Sequence, residues 1–396
     1  MTTIPRFREA ARRCNAAVSA TRVALAPRNA YRAGRARYAR KVKIFYGWRI
    51  VGAGLGLQFL HAGLLMQAFG AYVAVLSEER GWSKTTLSGA AALQSLEGAL
   101  LGPVMGWLVD RFGARALILV GVLMFAMGFF LLSAIDTVGG FYAAVVLLAL
   151  GTTFAGYFPL TVTLVHWFRR QRSRALSIMG LGLAIGGLAV PAVGWMMQTH
   201  GWRATAIASG LLTLAVGIPL ARFVRRDPAD MGLTPDGDPP AAAPAATHDA
   251  PVPHGERHYT AREALHTRAF WLLGLGHGFA LLVVTAVNVH AISHMKEGLG
   301  YSLAQASLVI MVMTVAQAAG LLLGALVGDR WEKRYMAAAC MVAHALGLLM
   351  LTYAVHPAML GAFAILHGMA WGLRGPFMSA MRADYFGLQS IGMIMG

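Results

Sequence analysis

The sequence predicts an all-α membrane protein built as two helical bundles, and three observations carry that expectation. The chain of 396 residues is 57% hydrophobic and only 13% charged, and no single soluble core absorbs so much apolar surface. Its apolar residues gather into runs of the roughly 20 residues that a helix needs to cross a bilayer. Its basic residues collect in alternate loops between those runs, the imbalance that orients membrane helices.

Ten runs qualify: 48–76, 87–109, 116–135, 141–167, 175–198, 204–224, 270–292, 303–328, 336–355 and 358–381. Each is expected to be helical, because lipid offers no partner to an unpaired backbone group. The closing "SIGMIMG" reads as the opening of an eleventh, so a chain cut short of its last helices is expected. The organisation that follows is a basic arm (1–47), a six-helix bundle (48–224), a linker (225–267) and an incomplete second bundle (268–396).

With the N-terminus in the cytoplasm, twelve basic residues precede the first run and Arg49 stands at its mouth. Sixteen more fall in the loops after the even-numbered runs, and only Arg80, Lys84, Arg203 and Lys296 face the other side. Of the 34 basic residues one is left over, Arg374, inside the tenth run. The expectation is therefore an integral, multi-pass membrane protein with a cytoplasmic N-terminus. The net charge of +17, which in a soluble protein would suggest nucleic acid, is mostly topology here. The rest comes from residues 1–42, where Glu9 is the only acid. That arm suits anionic headgroups or a transit peptide, and a disordered cytosolic arm and an over-extended gene start stand as equal readings.

Cys14 and Cys340 have neither disulfide nor metal spacing. No cofactor, no metal and no nucleic-acid partner is expected. Glycine clusters such as "GLGLAIGG" at Gly180 lie inside apolar runs and lack the strand that a dinucleotide fingerprint requires. "GGLAVP", ending at Pro191, suits a kink or close packing.

The two halves repeat one another. "GWS" at Gly81 is followed by Asp110 and Arg111 at the same spacing that separates "GYS" at Gly300 from Asp329 and Arg330, an offset of 219 residues. At an offset of 217, Gly151 and Pro159 match Gly368 and Pro376, which sets Tyr157 opposite Arg374. Duplicated halves with a site at their interface are a common transporter architecture. Gly98, Gly102 and Gly106 recur every fourth residue, a smooth stripe for a neighbouring backbone.

The stretch "GPVMGWLVDRFGAR" resembles the loop motif of the major facilitator superfamily, with Gly106, Asp110, Arg111, Gly113 and Arg115 at its defining positions. The second half keeps Asp329 and Arg330 and then departs as "WEKR". "YGWRIV" at Tyr46, "HWFRRQRSRALSIMGLGLAIGG" at His166 and "RGPFMSAMRADYFG" at Arg374 resemble the monocarboxylate and oxalate/formate porter branch. The resemblance implies a two-bundle fold with ten complete spans and the start of an eleventh, working as a monomer. It also implies a gate in which the loop acid meets the positive end of an opposing helix when the inside is closed. In animal relatives a lysine stands at the place comparable to Gln67, and their eighth helix carries an Asp and an Arg that are missing here. Simple transfer of their proton-coupled mechanism is therefore not expected.

Three readings of Arg374 remain open at this stage: an anchor for an organic anion, a charge pair with Glu97 of the second run, or an arginine snorkelling to a helix end. The first suits a planar fork of donors. The expected substrate site is then Arg374, Tyr157, Gln67 and Asn288, with Glu97 as coupling or pairing residue and Gly106, Asp110, Arg111, Gly113, Arg115, Asp329 and Arg330 as the gate. The other intramembrane polar residues, His277, His344 and His367 among them, are expected to bond helix to helix. The function read from the residues is secondary transport of small mono- or dicarboxylates, with protons or a counter-anion as partner. The alternatives are an exporter of drugs or neutral solutes and a non-transporting membrane sensor. No hydrolytic constellation points to an enzyme.

Overall fold

A computed structural model describes residues 44–238 and 259–396. The expected arm at 1–47 lies almost wholly outside the described residues, as do Cys14 and the centre of the linker. The chain from Phe45 to Gly396 forms one compact unit. Among the described residues every regular element is a helix.

Helix α1 (Tyr46–His61) passes through a π-turn (Ala62–Met66) and leads into α2 (Phe69–Arg80). Then follow α3 (Lys84–Phe112), α4 (Ala114–Ser133), α5 (Val138–Ala155) and α6 (Tyr157–Trp167). Next α7 (Arg172–Ile185) continues through a 3₁₀ turn (Gly186–Ala189) into α8 (Val190–Leu212), and a π-turn leads to α9 (Ile218–Phe223). Past the linker stand α10 (Ala261–Leu265), α11 (Arg268–Ser293), α12 (Leu303–Val327), α13 (Lys333–Thr352), α14 (Pro357–Phe386) and α15 (Ile391–Met395).

Seven segments among the described residues are long and apolar enough to cross a membrane. One of them, Arg172–Phe223, contains Gly201 at φ 80° and ψ 160°, which breaks α8 between the expected fifth and sixth runs. Helices α3 and α14 have the length, at 29 and 30 residues, but fall outside the seven. Their apolar density is diluted by small residues and by Glu97, Arg374 and Arg382. Large apolar side chains cover much of the outside, with Leu188 77%, Leu272 73% and Leu326 72% exposed. Soluble surfaces rarely carry apolar patches on that scale.

The repeat extends to the helix starts. An offset of 219 carries the beginning of α3 at Lys84 onto that of α12 at Leu303, and that of α7 at Arg172 onto that of α15 at Ile391. Both N-caps are serines: Ser83 accepts from the Thr86 N–H, and Ser302 from the Gln305 N–H. Such caps satisfy donors that a helix start leaves unpaired. Across the halves, α3 packs on α15 and α7 on α12, the same pairing reached by the same offset.

Two of the three glycines in the stripe of α3 meet the backbone of residues 392–396, whereas Gly98 faces open space. A Cβ at Gly106 would lie 2.5 Å from the Gly392 carbonyl oxygen, and one at Gly102 would lie 2.6 Å from that of Gly396. The Gly180 and Gly186 region behaves as expected for close packing, with Gly186 against Ala62 and Gly63.

Two boundaries differ from the sequence expectation. Helix α14 runs on to Phe386 rather than ending near 381, so Arg382 and Asp384 are helical residues and not loop residues. The expected run 141–167 is two helices, because Gly156 (φ −88°, ψ −149°) leaves helical geometry. A side chain there would overlap the Thr152 carbonyl oxygen, so the break needs glycine.

Candidate functional site

Arg374 lies in the middle of α14 and is 1% exposed. Twelve residues separate it from the helix end at Phe386, about 18 Å at helical rise, which is beyond the reach of a snorkelling side chain. Its Nη1 donates to Nδ1 of His277 on α11 at 2.6 Å. Its Nε has no acceptor. No carboxylate pairs with it among the described residues.

Glu97 is not its counter-ion: both carboxylate oxygens of Glu97 are buried without a partner. Tyr157 does stand beside Arg374. It opens α6 just after the Gly156 break, its hydroxyl approaches Gly375, and it interacts electrostatically with the guanidinium. Gln67 does not join them, since its Nε2 donates to the Leu183 carbonyl at 3.0 Å and ties the first helix pair to α7. Asn288 is exposed and makes no hydrogen bond with any of them. The structure thus brings together two of the four expected substrate residues.

The second half holds further buried polar groups. His344 and His367 are hydrogen-bonded through their Nδ1 atoms at 3.1 Å, joining α13 to α14. Cys340 lies within electrostatic range of Arg374. Arg382, a second largely buried cation of α14, is close enough to repel both Arg374 and His277. Sequence reasoning passed over Arg382 by counting it into a loop, and passed over His277 as one intramembrane histidine among several. Helix length was the signal for the first; only the contact reveals the second.

At one end of the molecule the two acids expected to gate, Asp110 and Asp329, form two equivalent latches. Asp110, at the end of α3, accepts from the N–H groups of Gly392 and Met393 at the start of α15, both at 3.0 Å. Asp329, just after α12, accepts from the N–H groups of Ser173 (2.8 Å) and Arg174 (3.2 Å) at the start of α7. The offset of 219 maps each acid and each of its donors onto the other. Carboxylates at helix starts are doubly favoured, by the free N–H groups and by the helix dipole. Burial pushes the Asp329 carboxyl up, opposed by its two donors.

A third tie crosses the halves without a symmetric counterpart. Asp384 of α14 pairs with Arg172 of α7 and, at 3.0 Å, with Lys333 of α13. Arg172 is further fixed by donating from Nε to the Phe168 carbonyl at 2.9 Å. Among the remaining motif residues, Gly113 takes φ 78° and turns α3 directly into α4. Arg111 stacks on Trp107 and Phe112 at 5.3 and 5.6 Å. Arg115 and Arg330 are exposed.

The first residues of the linker fold onto the same end. Asp236 gathers the N–H groups of Arg169, Arg170 and Gln171. His166 Nδ1 bonds Asp227 at 2.9 Å, and that hydrogen bond holds the Asp227 carboxyl below its ordinary range. Arg226 donates to the Asp110 carbonyl at 2.9 Å, so the linker reaches the first latch.

Duplicated helices, an apolar exterior and twin carboxylate latches define a polytopic membrane transporter. The chain belongs to the Major Facilitator Superfamily, whose family model matches residues 55–396, and so to a family of transporters rather than enzymes. It is similar to Monocarboxylate transporter 11 of Mus musculus, with 28% identity over 294 residues, 72% of this chain and 60% of the mouse protein. It is also similar to Membrane sensor protein UhpC of Salmonella typhimurium, with 29% identity over 234 residues, 57% of this chain and 50% of that one. The crystal structure of the human organic anion transporter MFSD10 shares the fold, with a TM-score of 0.60 at 16% identity, covering 88% of this chain and 89% of that one. The chain spans about half the length of the curated relatives it matches.

Proposed function

We propose that this secondary transporter moves small organic anions, mono- or dicarboxylates, by alternating access between bundles 48–224 and 268–396. Ten helical passages cross the bilayer in this reading, with α15 opening an eleventh, and the N-terminus and the linker 225–267 lie in the cytoplasm. The latched end is then the cytoplasmic one, and the conformation is closed to the inside. Protons or a counter-anion supply the drive.

One observation carries the substrate class: a guanidinium 1% exposed that bonds a histidine and that no acid neutralises among the described residues. A buried cation without counter-charge is costly, and an arriving carboxylate removes that cost. The break at Gly156 adds to this reading, because it opens a new helix start at Tyr157 beside the same guanidinium. Broken helices in transporters aim such starts at anionic groups. The likeness to a monocarboxylate transporter points the same way.

Uptake into liposomes containing the full-length protein tests it. Arg374→Ala is expected to abolish uptake of radiolabelled pyruvate, lactate or oxalate at normal protein abundance, and unchanged uptake overturns the anchoring role. Competition by neutral solutes but not by carboxylates would favour the exporter reading. The likeness to a membrane sensor supports a second reading, which ligand binding without flux would favour.

A further inference from the structure

The bond between Arg374 and His277 constrains both partners. Arginine carries five N–H donors and no acceptor. At 2.6 Å from Nη1, Nδ1 of His277 must therefore present its lone pair, and its ring proton sits on Nε2. The bond occupies one edge of the guanidinium and leaves Nε, on the other edge, without an acceptor. A carboxylate binds arginine through two parallel N–H···O bonds, and the Nε edge is the one open to it.

We propose that His277 is a positioning residue for anion capture: its neutral Nδ1 holds Nη1 of Arg374 so that the Nε edge faces the substrate. This rests on the reading of Arg374 as the anion anchor. A proton on Nδ1 would set two donors against each other, so the hold requires the neutral ring. The charges facing His277 are Arg374 and Arg382, both from α14. Helices α12 and α13 also pack on α11. Cys340 and His344 of α13 reach Arg374 rather than His277, and α12 presents no titratable group to it among the described residues. Both facing charges are cations and no acid faces the ring among the described residues, so nothing there favours a proton on Nδ1 and the hold persists as the pH falls.

The test is calorimetric titration of pyruvate and oxalate, which stay anionic throughout, into the purified full-length protein between about pH 7.5 and about pH 5. The wild type is expected to keep its affinity within about threefold across that range, because both charges facing the ring are cations. His277→Asn, whose amide oxygen takes the place of Nδ1, is expected to keep affinity within about threefold. His277→Leu, which cannot accept, is expected to bind about tenfold more weakly at neutral pH. Wild-type affinity in the leucine variant, or an asparagine variant that binds as weakly as the leucine one, overturns the positioning role. Should the leucine variant fail to fold, the asparagine variant decides alone. If no probe binds the wild type, or Arg374→Ala binds unchanged, the anchoring reading itself fails and this inference with it.

Discussion

Arg374 brings a permanent charge into an interior that offers it one neutral acceptor and no acid among the described residues. Such a group works against folding, since withdrawing it from water costs several kcal/mol that nothing nearby returns. Arg374→Met keeps the length of the side chain and removes the charge. The purified variant is expected to melt higher by about 2–4 °C while losing all stabilisation by added pyruvate or oxalate. A lower melting point would mean that the guanidinium supports the fold and is not held in reserve for a ligand. The position was legible in the sequence, because a lone basic residue in an apolar run stands out against the topology of the other 33. Its neighbours were only half legible. Tyr157 followed from the internal repeat, whereas the partnership with Glu97 did not form, and His277 emerged only once α11 and α14 were packed together. Gln67 reads as a site residue by comparison with relatives, yet spends its amide on the Leu183 carbonyl.

Paired elements, rather than single residues, carry the proposed gate. Each latch joins the end of one helix to the start of another across the halves, α3 to α15 through Asp110 and α12 to α7 through Asp329. Both acids were legible from the repeat. Their partners were not, because backbone N–H groups leave no signature in residue types; Ser173, Arg174, Gly392 and Met393 share nothing as side chains. A hydrogen bond to a charged group contributes about 1.5–3 kcal/mol, and asparagine at either position keeps one acceptor and loses the charge. Asp329→Asn is therefore expected to shift the balance between latched and open forms by about tenfold or more. Spin labels at Arg170 and Tyr335, exposed positions on opposite halves, would report it as a longer and broader distance distribution. Asp110→Asn should move the same distribution by a similar amount, since the two latches are copies; a response to only one of them would show that the duplicated geometry is not duplicated in energy.

For the molecule as a whole, hydropathy and charge answer different questions. Seven segments qualify as spans by apolar content, because Gly201 hides a turn inside one long segment and because α3 and α14 trade apolar side chains for small and charged ones. The distribution of Lys and Arg does not suffer from that dilution, since it counts loops and not helices. On that distribution Lys333 and Arg334, at the start of α13, are expected on the cytoplasmic side, and the other end of α13, about 30 Å away at helical rise, on the opposite face. Tyr335 and Tyr353 mark those two ends and are 74% and 67% exposed. In full-length protein with Cys14 and Cys340 replaced by serine, Tyr353→Cys is expected to react with a membrane-impermeant maleimide in intact cells. Tyr335→Cys is expected to react only after permeabilisation. The reverse pattern would turn the molecule over, making the twin latches an outer gate and the conformation one that opens to the cytoplasm. Equal labelling of both positions in intact cells would place the two ends of α13 on one side and remove it from the set of spans.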